Sequence, residues 1–163
     1  VPIMVSGRDL DSDSMVAIKT LIDDIKQLKP ADAPQYAVGG IGMVVSERTM
    51  SSAFSSKVSS ADGLIESVAD LGFDWGIVTL GEEGAVGICG GVRADTPAIQ
   101  APVVDCISAG DMFLGGFAFG IVSAKSFVDA MHIGHRVAAW SCEAVGARSA
   151  LPSLARLTSA GYL

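Results

Sequence analysis

The chain has 163 residues, half of them apolar and 18% charged, and its 18 acids against 11 bases give a formal charge of −7. That length suits one domain or a part of a larger one, and an acidic chain with no Lys/Arg cluster excludes nucleic acid as the main partner. Three widely spaced cysteines, Cys89, Cys106 and Cys142, exclude a disulfide framework and a zinc pattern.

In chain order, Val1–Ser6 reads as a short buried strand, followed by a polar loop, GRDLDSDS. Met15, Ile18, Ile22, Ile25 and Leu28 recur at spacings of three and four, which predicts an amphipathic helix ended by Pro30 and Pro34. Ile41–Ser46 reads as a second buried strand, with a helix starting from Glu47. The Ser-rich stretch after it is either a surface loop or a poor helix. Ala61–Leu71 is predicted helical, with Gly72 as its stop. WGIVTLG is a third strand, and GAVGICGG and VRADTPAI form a hairpin turning at Gly90-Gly91. A long apolar helix begins near Ala109. A further helix starts at Ser126 as N-cap, with Asp129 three residues on, and runs towards Gly146. A last helix follows Pro152. Strands and helices that alternate, with continuous apolar strands, imply a mainly parallel sheet covered by helices.

The most apolar run, Met112–Ala124, is too short to span a membrane and contains Gly115, Gly116 and Gly120. No secretory signal opens the chain, and reduced, mostly buried thiols are expected, which points to an intracellular and by default cytoplasmic setting. Mean hydropathy is +0.47, high for a soluble domain of this size. A partner chain or a missing segment is therefore expected to cover some apolar surface. The first residue is Val rather than Met, as in a trimmed or partial chain.

One acid stands out. Asp111 follows Ser108-Ala109-Gly110 and opens the long apolar helix. Small residues let a ligand approach the backbone, and a helix N-terminus offers unpaired N–H groups and the positive end of the dipole. Together they suit an anion such as phosphate. A carboxylate in that turn can take a proton from an alcohol while the amides hold charge on a transferred phosphoryl group. The alternative is that Asp111 only caps the helix. Thr79-Leu80-Gly81-Glu82-Glu83-Gly84 ends a strand in a tight turn, where an open α/β sheet receives ligands, or where a plain hairpin turns.

Three segments in this order, TLGEEG, DCISAGDMF with Gly115-Gly116, and GARSALP, resemble the C-terminal half of the pfkB, or ribokinase-like, family of sugar and nucleoside kinases. The family signature is Asp-Thr-x-Gly-Ala-Gly-Asp. The resemblance covers roughly residues 75–155 and implies a three-layer α/β/α ribokinase-like fold, here partial. It implies one domain over 1–163 that lacks the N-terminal substrate and lid region. It carries over Asp111 as catalytic base, and Ser108, Ala109 and Gly110 as the anion hole. Asp105, with the Ile107 carbonyl, becomes a monovalent-cation site. Thr79, Gly81 and Gly84 become the nucleotide turn, and His135 lies near the adenine. His132 is left as a surface residue. ATP, Mg2+ and K+ are the implied cofactors, and a nucleotide and a small sugar the implied partners.

Departures are visible too. Ser108 stands for the first glycine of the anion hole, and Cys106 for the usual threonine. The family's Asn-x-x-Glu would fall near Ser46–Thr49, where Glu47 is out of place. Three readings follow: an ATP-dependent sugar kinase; a catalytically degenerate pfkB-like subunit that binds or scaffolds in a larger assembly; and an unrelated nucleotide-binding domain. Gly7 after VPIMVS makes no phosphate loop, which ranks the third reading last.

Overall fold

A computed structural model describes residues 3–4, 16, 20, 42–46, 61–70 and 73–162. The strands are β1 Ile3–Met4, β2 Gly42–Ser46, β3 Trp75–Thr79, β4 Ala85–Cys89 and β5 Val92–Thr96, side by side in that order. The helices are α1 Ala61–Asp70, α2 Ala109–Val122, α3 Phe127–Ser141 and α4 Leu154–Ser159, with 3-10 turns at Gly81–Glu83 and Ala147–Ala150. The described residues fall into two compact units. One holds those up to Leu80 with Ala85–Asp95, and the other holds Gly81–Gly84 with the residues from Thr96 onward.

In the first unit, β1 pairs with β2 and β2 with β3 in parallel, and β3 pairs with β4 antiparallel. Trp75, Gly76, Ile77 and Val78 are all buried in sequence, so both faces of β3 are covered, which is why it reads as a continuous apolar run. α1 packs on β3 and β4. The predicted hairpin is present: Gly90 (φ 56°) and Gly91 (φ 78°) adopt the left-handed pair of a two-residue turn. Arg93 links Asp62 of α1 to Asp95 on β5. Val16 and Thr20 are helical, inside the predicted Met15–Leu28 helix. The remainder of that helix, the polar and proline loops, the helix from Glu47, the Ser-rich stretch and the Gly72 stop lie outside the described residues.

The second unit is built on an α2–α3 hairpin. Beyond Asp111 in its first turn α2 is apolar, and α3 buries Phe127, Ala130, Met131, Ile133, Gly134, Val137 and Trp140. The two helices approach closely because small residues meet. A Cβ on Gly120 would stand 2.7 Å from the Ala130 Cα, and one on Gly116 would stand 2.9 Å from Val137. Phe117, with no exposed surface, meets Phe127 edge-to-face at 5.7 Å. Ser126 caps α3 as expected, accepting from the Asp129 N–H at 3.1 Å and donating to its carboxylate at 2.6 Å. α3 stops at Ser141, five residues short of the predicted Gly146, because the chain turns at Cys142 and Glu143. α4 docks through Leu157, buried against α3, and through Arg156, whose guanidinium lies 4.2 Å from the Trp140 ring. Cysteine burial falls short of expectation: Cys89 and Cys142 are half-buried and Cys106 is exposed, since all three lie at element ends or in a loop. Among the described residues no helix is long and apolar enough to cross a membrane.

Candidate active site

The second unit brings Asp105, the Ser108–Asp111 turn, Gly81, Gly84 and His135 onto one framework. Thr79 ends β3 in the first unit, opposite Ser46 and Ala85.

Ser108 is the N-cap of α2, so Asp111 is not the cap; it stands in the first turn, exposed. Helix geometry leaves the N–H groups of that turn without intrahelical acceptors. A Cβ on Gly110 would meet nothing within 4 Å, so space is open beside the turn. Ser108 is an unusual cap. It is left-handed (φ 66°, ψ 13°) and its hydroxyl makes no capping bond. For a residue with a Cβ this conformation costs about 1–2 kcal/mol, whereas glycine adopts it freely and gives up about 0.5–1 kcal/mol through its looser unfolded chain. Ser108→Gly is therefore expected to raise stability by up to about 1 kcal/mol, read as a higher urea midpoint at unchanged slope.

Asp105 holds the entrance to this turn. Its Oδ1 accepts the Ile107 N–H at 2.9 Å and its Oδ2 the Gly146 N–H at 3.0 Å. These two bonds, Gly146 foremost, keep its carboxyl below the usual range. The N–H groups of Val104 and Asp105 both donate to the Cys142 carbonyl, at 2.8 and 3.2 Å, so the entrance is tied to the end of α3. Val103, Val104 and Ile107, next to it in the chain, are exposed. Among the described residues, no three His, Cys, Asp or Glu side chains cluster as a metal site.

In the other turn, Gly81 (φ 64°) and Gly84 (φ 110°) are both left-handed, and the Gly84 N–H closes on the Gly81 carbonyl at 3.2 Å. A Cβ on Gly81 would meet nothing within 4 Å.

His135 lies inside the unit, 6% exposed, with Nε2 at 2.9 Å from Thr96 Oγ1 and its ring edge-to-face with Phe113 at 4.9 Å. Burial, and secondarily His132, push it down to about 4, against the opposing bond to the Thr96 main chain. An unfolded histidine titrates near 6.5, so this contribution is complete above that pH and is lost as pH falls towards 4. Stability is expected to drop by on the order of 2–3 kcal/mol across that window. His135→Gln should flatten this part of the curve in denaturation series run from pH 7 to 4.5.

Sequence reasoning missed Thr96 and the Cys142 carbonyl. Neither a lone threonine at a strand end nor a main-chain oxygen leaves a pattern in the sequence.

The family model described as pfkB family carbohydrate kinase matches residues 43–154. Ribokinase from Lactococcus lactis subsp. lactis is 38% identical over 81 residues, covering 50% of this chain and 27% of the relative. Aminoimidazole riboside kinase from Salmonella enterica, solved in complex with aminoimidazole riboside and an ATP analogue, superposes with a TM-score of 0.64 at 29% identity, covering 72% of this chain and 41% of that one. A fructokinase double mutant from Vibrio cholerae O395, solved with fructose, ADP and potassium ion bound, gives 0.64 at 25% identity, covering 72% and 39%. The chain thus spans well under half the length of these relatives and shares the ribokinase-like fold. With a family match over more than half of its residues, the chain belongs to the pfkB family of carbohydrate kinases.

Proposed function

We propose that the chain carries the phosphoryl-transfer machinery of an ATP-dependent sugar kinase, moving the γ-phosphoryl group of ATP to a sugar hydroxyl. One observation carries this reading: an exposed carboxylate, Asp111, sits in the first turn of a 14-residue helix, beside open space at Gly110.

In this scheme the Asp111 carboxylate takes the proton of the acceptor hydroxyl. The freed oxygen bonds to the γ-phosphorus, the bond from that phosphorus to the β–γ bridging oxygen breaks, and ADP leaves. The amides of Gly110 and Asp111 face the transferred group with the positive end of α2, after Ser108 and Ala109, whose own N–H donates to the Cys106 carbonyl at 3.2 Å. Gly81, where a Cβ would meet nothing within 4 Å, and Gly84 form the nucleotide turn, whose open side can approach phosphate or ribose. His135 sits behind these elements rather than at their surface. The Asp105 oxygens each keep a lone pair beyond the bonds described. With the Ile107 carbonyl they fit an oxygen-seeking monovalent cation such as K+, which would add positive charge beside the turn. Mg2+ accompanying ATP would neutralise phosphate charge.

The test is direct. The full-length protein is incubated with ATP, Mg2+, K+ and a panel of pentoses and hexoses, and ADP and sugar phosphate are followed by coupled assay and 31P NMR. Formation of a sugar phosphate is the expected result. ATP binding by calorimetry without turnover on any sugar would instead identify a catalytically degenerate pfkB-like subunit, and absence of both would overturn the nucleotide site itself.

A further inference from the structure

A run of buried contacts joins the two turns, and the scheme above leaves it unused. Gly84 lies so close to Thr96 that a Cβ on it would stand 2.1 Å from the Thr96 carbonyl oxygen. Thr96 Oγ1 is 2.9 Å from His135 Nε2. The His135 ring meets Phe113 edge-to-face, and a Cβ on the adjacent Gly134 would stand 2.9 Å from the Phe113 carbonyl. Phe113 is two residues past Asp111 on α2. Thr96, His135 and Phe113 are all buried.

We propose that His135 is a positioning residue that holds the Gly81–Gly84 turn and the first turn of α2 in one register. The proposal rests on the kinase reading. A hydrogen bond among apolar neighbours is directional, and losing it removes the side-chain partner of a buried ring nitrogen. The pair therefore favours one placement of Thr96 against α3 over any displaced one. Thr96 carries Gly84 with it through backbone contact, and the imidazole edge fixes Phe113 and so the helix that bears Asp111. Phosphoryl transfer depends on such alignment, because misplacement of about 1 Å can cost on the order of 100-fold in rate.

The test uses His135→Leu, Thr96→Val and His135→Gln in the full chain, with Asp111→Asn as control. The glutamine amide can replace Nε2 as the partner of Thr96. Hydrogen exchange read by mass spectrometry needs no substrate. The Leu and Val variants are expected to speed exchange at both 81–84 and 109–112 by about tenfold, and His135→Gln to restore the wild-type rates. In turnover assays the same two variants should lower kcat about tenfold with KM for ATP within about threefold, again restored by Gln. The double variant His135→Leu with Thr96→Val should be no worse than either single one. Should His135→Leu fail to fold, the isosteric Thr96→Val carries the test. Faster exchange confined to one of the two segments, or wild-type kcat in both variants while Asp111→Asn is inactive, overturns this proposal alone. No sugar phosphate from the unsubstituted protein overturns the kinase reading and this proposal with it, whereas full turnover in Asp111→Asn overturns only the role of Asp111 as base.

Discussion

Asp111→Asn is expected to lower turnover by about 1,000-fold while ATP binding stays within about threefold. Asparagine keeps the shape and polarity of the side chain but cannot accept the hydroxyl proton as a carboxylate does. General-base assistance contributes roughly 100- to 10,000-fold, and the midpoint corresponds to about 4 kcal/mol of barrier. Asp111 is exposed and is not the N-cap, so its replacement leaves the core and the cap of α2 intact. A negative charge in a first turn also favours the helix by about 0.3–1 kcal/mol, so a small fall in melting temperature accompanies the loss. Steady-state kinetics paired with calorimetry of a non-hydrolysable ATP analogue reads both quantities. Equal losses in the two would point to a collapsed turn rather than a missing base.

The second large effect is structural. Gly84→Ala is expected to destabilise the fold by about 4 kcal/mol or more, which makes soluble protein scarce. Two costs add. The residue sits at φ 110°, a conformation that side chains rarely adopt. Its new Cβ would also lie 2.1 Å from the Thr96 carbonyl oxygen, 2.8 Å from the Ala98 nitrogen and 2.9 Å from the Pro97 Cα. All three are backbone atoms, so no side chain can swing aside. Gly81→Ala in the same turn is the internal comparison. Its φ is 64° and its Cβ would meet nothing within 4 Å, so the cost is the left-handed conformation alone, about 1–2 kcal/mol. Chemical denaturation of the two variants separates clash from strain, and similar stabilities would contradict the packing described around Gly84.

Much of this was legible beforehand for reasons that are local. Ser126 and Asp129 announce the start of α3 because a capping box is made within four consecutive residues. Gly90-Gly91 announces its hairpin because only a few residue pairs tolerate two left-handed positions. Ser108-Ala109-Gly110-Asp111 could be placed at a helix start from the change in composition alone. α3 ends before its sequence suggests because helical periodicity persists through residues that the chain uses for a turn.

What the residue order determined by itself, among the described residues, is the hairpin at Gly90-Gly91 and the starts of α2 and α3, since caps, turn glycines and apolar periodicity act over a few residues. Only the tertiary structure decided that Asp105 reaches Gly146 and that His135 is closed in against Thr96 and Phe113. Only there, too, does Gly84 prove to have no room for a side chain. Those partners lie 41, 39 and 22 residues apart for the first three contacts, counting along the chain from Asp105 to Gly146, Thr96 to His135 and Phe113 to His135. The physical reason is that burial and hydrogen bonding are set by what packing brings together in space, and a threonine or a main-chain carbonyl carries no mark of its distant partner.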